Sequence, residues 1–312
     1  MGIPDKPGLI TWNSGQLLDA FASGRFPADA PALPKSVFMV EPEAFFVNRE
    51  CASDNVYMDL ENAADADRAL SQSQALASVI KRKGIAVKVF PGDPRLPDGV
   101  FPNNAFATIP GRLIVGSMWH QGRHAETRRK DIRDYFTDRN YSLIDLSLHD
   151  CVAELTGPLI LDRARRIGFC GMTDRVNQAG VTAMHKAFDL RLTFTFDLAD
   201  GEYHTNVVMM ILAGRACVLC PDSFADPDVP VAISQAFPGR TLMLSTEEKN
   251  AFAGNCIALT QTDLFMSRTG FNALRPSSLQ MLESWGFELT TVELNEIEKA
   301  GGSLRCMLAE IF

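Results

Sequence analysis

Apolar residues along this chain come in short runs separated by turn signals rather than in one long period. SVFMVEP, IAVKVFPG, NAFATIPG and RLIVGSM are bounded by Gly, Pro or charged residues, as buried strands are. GPLILDRARRIGFCG, VVMMILAGRACVLC and NCIALTQTDLFMS continue the series, several of them folding hairpin fashion around a Gly or charged turn. Helical spacing intervenes at residues 62–83, which stop at Gly84, and in HAETRRKDIRDYFTD, DRVNQAGVTAMHKAFD, PDVPVAISQAF and RPSSLQMLESWG. The theme is two strands, a helix and another strand, without a strict sequence repeat. Nothing marks a mid-chain linker, so residues 36–312 are expected to form one large α/β domain. Residues 1–35, rich in Gly, Pro, Ala and Asp, read as an N-terminal extension in which LITWNSGQLLDAFASG can form one short amphipathic helix.

Composition narrows the function classes. The 312 residues carry a net charge of -8 and no long basic run, which argues against a nucleic-acid partner. No apolar stretch reaches membrane-spanning length, and MGIPDKPGL lacks the basic and apolar regions of a signal peptide. Lys6 spoils the myristoylation pattern that Gly2 begins. Seven cysteines, an odd number, fit reduced thiols and a cytoplasmic setting. Cys217 and Cys220 form a CxxC. RACVLCPD nevertheless reads as a buried strand, with no second CxxC and no His at finger spacing, so no metal is expected.

Four segments carry polar residues that the apolar pattern does not demand. GGSLRC places Cys306 just past a flexible turn beside Arg305, and a neighbouring cation favours a nucleophilic thiolate. GEYHTNVVMMIL puts His204 and Asn206 in alternation on one face of an apolar strand, and His can act as acid or base near neutral pH. ELTGPLILD opens a strand with Glu154, and a carboxylate buried there must be paired or lie at a site. PDGVFPNN sets Asp98, Asn103 and Asn104 before a strand, where turn formation is the alternative explanation.

Taken in order, PDGVFPNN, GRHAETRR, ELTGPLILD, GMTDR, YHTNVVMM, FAGN and GGSLRCM resemble the guanidine-modifying enzymes. That superfamily includes arginine deiminase, dimethylarginine dimethylaminohydrolase, succinylarginine dihydrolase and the amidinotransferases. The similarity is greatest to the citrulline-utilization hydrolase type and runs from about residue 36 onward. It implies the pentein fold, a five-bladed pseudo-symmetric α/β propeller with its site on the central axis. It implies Cys306 as nucleophile, His204 as acid/base, and Glu154 as the carboxylate on the guanidinium nitrogens. Arg123 and Arg175 would clamp a substrate carboxylate, Asp98 would sit near the amino-acid end, and Gly301 and Gly302 would let the backbone turn under the nucleophile. No cofactor is implied, and the partner is a small guanidino or ureido amino acid. Relatives often form a homodimer, so the resemblance implies the same arrangement as an expectation.

Two departures from arginine deiminase bear on the reaction. Asn104 and Asn206 stand where that enzyme has aspartates, which removes up to two negative charges. An amide accepts from N–H and also donates to a carbonyl oxygen, so it suits a neutral ureido group as well as a guanidinium. The expectation is a Cys-dependent hydrolase of guanidino or ureido C–N bonds, of deiminase or dihydrolase type. The alternative is an amidinotransferase, in which an amine rather than water captures the adduct.

Overall fold

A computed structural model describes residues 8–24 and 26–312. Among them, β1 (Leu9–Thr11), β2 (Ser36–Val40), β3 (Ala86–Phe90), β4 (Phe106–Ile109), β5 (Arg112–Val115) and β6 (Ser142–Asp145) come first. There follow β7 (Leu159–Asp162), β8 (Ile167–Met172), β9 (Leu192–Asp197), β10 (Met209–Leu212), β11 (Ala216–Leu219) and β12 (Thr241–Met243). The series ends with β13 (Ile257–Ala258), β14 (Asp263–Ser267), β15 (Glu288–Val292) and β16 (Ala309–Ile311).

These strands make five separate sheets of one design: β16-β2-β3, β4-β5-β6, β7-β8-β9, β10-β11-β12 and β13-β14-β15. In each, the first two strands pair antiparallel and the third joins the second in parallel. A parallel third strand needs a crossover, which the intervening helices and loops supply. β16 closes the ring, since its Glu310 lies opposite Val37 of β2. This repetition of five three-stranded units fits the five-bladed α/β arrangement that the resemblance implies.

The hairpin strands are legible as apolar runs because both of their faces are covered. Ile114, Leu159, Leu212 and Leu264 are all fully buried. Some of the third strands are short and partly exposed, so they lack that signature. β6 is only SLID and β12 only TLM. The segment HAETRRKDIRDYFTD is not one helix. It begins with a 3₁₀ turn at Glu126–Arg128, and the α-helix spans Lys130–Thr137.

The stretch expected to form one short helix, LITWNSGQLLDAFASG, divides into a strand, Leu9–Thr11, and a helix. Ser14–Ala22 forms a helix whose Asn13 accepts a cap hydrogen bond from the backbone N–H of Gln16, and it buries Leu17. β1 adds a fourth strand, parallel to β9, with Leu9 opposite Leu192. No helix among the described residues is long and apolar enough to cross a membrane. Cys217 sits fully buried on β11, as the strand reading of its CxxC requires, and all seven cysteines are free.

Candidate active site

One position recurs in all five sheets: the loop that leads into the first strand. Asn104 lies just before β4, Glu154 before β7, His204 and Asn206 before β10, Asn255 before β13, and Cys306 before β16. Chemistry-bearing residues scattered over two hundred positions thus converge because the ring repeats. Cys306 is 1% exposed, and His204, Glu154, Asn206 and Asn255 are 0%.

The His204–Asn206 segment is not part of a strand, contrary to the alternation in the sequence. His204 precedes a single helical turn, Thr205–Val208, and only then does β10 begin. The turn lets the His204 ring lie against Gly157, where an added Cβ would stand 2.7 Å from Nε2. Only glycine fits there. Gly301 turns with φ +75°, and a Cβ on it would strike the Asn55 side chain at 2.3 Å.

Glu154 is the hub of the charges. Its Oε2 accepts from His204 Nε2 at 3.0 Å and from Arg175 Nη1 at 3.1 Å, and its Oε1 accepts from the Trp119 backbone N–H at 3.1 Å. Arg123 Nη1 stands 3.7 Å from Oε2. Burial by itself would raise the carboxyl pKa. Arg175, the His204 hydrogen bond and Arg123 outweigh it and hold Glu154 well below the usual carboxylate range. An ionised carboxylate only accepts, so Nε2 of neutral His204 carries the proton. Burial lowers the imidazole pKa despite Glu154, which favours that neutral form. Nδ1 is then bare, and it is buried with no partner among the described residues. This is the geometry of a base awaiting a proton.

Cys306 sits in a cradle of amides. Its Sγ lies 3.3 Å from Asn255 Nδ2 and 3.5 Å from Asn206 Nδ2. Burial pushes the thiol pKa up, opposed first by the Asn255 hydrogen bond. Arg305 helps less than its position in the sequence suggests. Its guanidinium is drawn away to the Leu308 carbonyl at 2.8 Å and Glu310 at 3.1 Å.

The two predicted clamp arginines are already engaged. Arg123 makes a bidentate pair with Glu126, at 2.9 and 2.8 Å. Arg175 makes another with Asp54, at 2.5 and 2.9 Å, and Asp54 also meets His120 Nε2 at 3.0 Å. Asp98 accepts from Asn48 at 2.6 Å and lies 3.3 Å from Cys51 Sγ. Asn104 is nearly buried, and its Oδ1 has no partner among the described residues.

Sequence reasoning gave Asn255 and Asp54 no role. Asn255 lies in the FAGN motif, and its side chain ties three loops together. It donates to the Asn206 carbonyl at 2.8 Å and to Cys306, and it accepts from the Arg305 backbone N–H at 3.0 Å. Asn255→Asp keeps the shape and the acceptor but replaces the donor with a negative charge. It is expected to slow alkylation of Cys306 at neutral pH by about tenfold or more, since one pKa unit is a factor of ten in thiolate. An unchanged alkylation rate in a variant that melts like wild type rules this out.

Asp54 lies on a segment, residues 48–58, tied to the site loops. Besides its pair with Arg175, Asn55 reaches the Gly301 carbonyl at 3.5 Å, and Tyr57 bonds to Glu202 and accepts from Lys249 at 2.8 Å. With its central residues so buried, the site is closed in this structure.

Five sheets of one pattern and a ring of loops holding Cys, His, Glu and Asn side chains define a member of the guanidine-modifying, or pentein, superfamily. Residues 41–312 match the family described as N,N-dimethylarginine dimethylhydrolase, eukaryotic, and the chain belongs to it. The bifunctional arginine dihydrolase/ornithine cyclodeaminase AgrE of Nostoc sp. is 23% identical over 245 residues, 78% of this chain and 33% of its own length. ArgZ of Synechocystis sp., of the same description, is 22% identical over 245 residues. The chain therefore spans about a third of these curated relatives. Among solved structures, the substrate-bound N-terminal domain of ArgZ superposes with a TM-score of 0.77 at 20% identity, covering 88% of this chain and 97% of that one. A dimethylarginine dimethylaminohydrolase carrying an S-methyl-L-thiocitrulline adduct superposes with a TM-score of 0.68 at 16% identity, covering 89% and 100%.

Proposed function

We propose that this protein is a Cys-dependent hydrolase of guanidino or ureido C–N bonds in a small arginine- or citrulline-like substrate. The observation that carries the reading is the bare, buried Nδ1 of His204, whose Nε2–H is held by ionised Glu154 and whose loop reaches Cys306 through Asn206. Residues 36–312 would form the catalytic unit, and the seven free thiols fit a cytoplasmic setting.

In the resting site the Cys306 thiol is protonated, and a guanidinium beside it supplies the positive charge that favours the thiolate. The thiol proton passes to the bare Nδ1 of His204, and the thiolate adds to the central carbon, forming an S–C bond. A C–N bond then breaks, and ammonia leaves with a proton delivered by His204. Water attacks the thiouronium carbon while His204 takes its proton, the S–C bond breaks, and a ureido product leaves. A second round on that product would release ammonia and carbon dioxide and leave the amine.

Asn104 is proposed to govern whether the second round occurs. Its unpartnered Oδ1 can accept from a substrate N–H, and its Nδ2 can donate to a ureido oxygen, which an aspartate cannot do. A carboxylate that reaches Arg175 must displace Asp54, and one that reaches Arg123 must compete with Glu126, so Arg175 serves as a clamp only if the 48–58 segment moves.

The test is product analysis by mass spectrometry after incubation with arginine, citrulline and dimethylarginine separately. The expected result is ammonia from at least one of them, with ornithine where the second round occurs. Asn104→Asp should stop arginine turnover at citrulline, and the same product ratio as wild type sinks the role given to Asn104. An amidino group found on added glycine or ornithine would instead establish the transferase reading.

A further inference from the structure

The two arginines beside Glu154 are held in different ways. Arg123 takes its bidentate partner from its own turn, since Glu126 is three residues on and 4% exposed. That pair is local and sealed. Arg175 takes its partner from a segment 121 residues away, where Asp54 meets Nε and Nη2 at 2.5 and 2.9 Å. The Arg175 side chain is 1% exposed and that of Asp54 13%. The carboxylate therefore stands at the rim, where water can take it back, while the guanidinium stands inside and depends on protein partners. The segment is anchored on either side of Asp54. Asn48 donates to Asp98 at 2.6 Å, and Tyr57 bonds to Glu202 and accepts from Lys249 at 2.8 Å. Between these anchors Ser53 is exposed, so the movement that frees Arg175 is confined to the residues around Asp54.

The position of that pair relates it to the substrate. Arg175 Nη1 points at Glu154, the carboxylate expected on the guanidinium nitrogens, at 3.1 Å. The Nε–Nη2 edge that Asp54 fills lies on the other side of the same planar group, toward the tail of the substrate rather than its reacting end. Two kinds of tail then meet Arg175 differently. A substrate with its own carboxylate exchanges one anion for another, and the buried guanidinium stays paired. A guanidine without a carboxylate keeps it paired only if Asp54 stays where it is, because an unmatched charge at this depth is costly.

Resting on the reading of this site as a guanidino or ureido hydrolase, we propose that Asp54 is its specificity-determining residue and that the site takes two classes of substrate. With an arginine- or citrulline-like amino acid, Asp54 is a competitor that the substrate carboxylate displaces from Arg175. With an alkylguanidine that has no carboxylate, Asp54 stays and supplies the missing anion. Glu126 plays no such part, since it is fixed within the turn that carries Arg123.

The test compares arginine and citrulline with agmatine, which is arginine without its carboxylate, in wild type and in Asp54→Asn, which keeps the volume. Wild type is expected to release ammonia from agmatine as well as from an amino-acid substrate. Asp54→Asn should lower KM for the amino acid by about tenfold and raise KM for agmatine by a similar factor. Asp54→Ser should give the same two shifts, and serves where the first variant melts early. A merely structural contact would move both constants in one direction, so a common change, or none, overturns the proposal. So does a wild type that turns over arginine and leaves agmatine untouched. Calorimetric binding to Cys306→Ala separates this inference from the reading it rests on. Opposite shifts in Kd on adding Asp54→Asn, in a protein whose wild type hydrolyses neither compound, keep the role of Asp54 and sink the hydrolase. Equal shifts with turnover intact sink only the role of Asp54.

Discussion

Cys306→Ala is expected to abolish turnover, lowering kcat/KM by about 10⁴–10⁶-fold, because no other group in the site can form the covalent adduct. The fold should survive at a cost of roughly 1 kcal/mol. The amides that face the sulfur have other partners: Asn255 Nδ2 also bonds to the Asn206 carbonyl, and Asn206 Nδ2 to the Thr156 carbonyl at 3.1 Å. The decisive readout is adduct mass. Wild type incubated with haloacetamidine should gain one amidino group on the peptide that contains Cys306, and the variant none. Cys170 and Cys256 are internal controls, since burial pushes both thiols up to about 12 without a compensating site. A Cys306→Ala enzyme that still turns over would end the nucleophile assignment.

Removing Glu154 is expected to have the largest effect on stability. Glu154→Ala leaves Arg175 and Arg123 partly unmatched in a fully buried setting and strips His204 of its acceptor. Breaking a buried ion network in this way costs about 3–5 kcal/mol, and losing the oriented acid/base a further factor of about 10²–10⁴ in rate. Denaturant midpoints and single-turnover rates measure the two separately. Glu154→Gln, which keeps the volume, should lose less stability and a comparable share of rate.

The pH profile of stability distinguishes these partners. The Glu154 pKa is depressed on folding, so its contribution is present above the ordinary carboxylate value, about 4.3, and lost as pH falls below it. The His204 pKa is depressed too, so the unfolded chain takes up more protons and stability also declines as pH drops through about 6.5. Wild type should therefore weaken in two stages on acidification, and Glu154→Gln should keep the first and lose most of the second.

Much of the ring was readable from the chain because its hairpins are buried on both faces, so β10 and β11 appear as almost unbroken apolar letters. Of the parallel third strands only β3, in IAVKVFPG, was read; the others were not. β15 reads ELTTV and is half exposed, and nothing in five such residues separates it from a loop. For the site, Cys306, His204 and Glu154 stood out because each interrupts a pattern that has no need of it. Asn255 interrupts nothing. Its importance comes from contacts with residues 206, 305 and 306, which no local period encodes. His204 and Asn206 were placed on a strand because alternation over three residues looks the same in a strand and in a polar turn. Asp54 lies in a segment without periodicity, and only the position of Arg175, 121 residues away, gives it meaning.

The pairing of β16 with β2 joins residues about 270 positions apart, and the loop that carries Cys306 leads directly into it. Contacts so distant in the chain carry the largest loop-closure cost and are expected to form late in folding. The reactive thiol is therefore expected to join its acid/base partners late in folding, when the first sheet receives its final strand. Partly folded chains would hold that cysteine away from His204 and be silent toward substrate. Fraying of three residues at β16 would switch off the chemistry while four of the five sheets stayed intact.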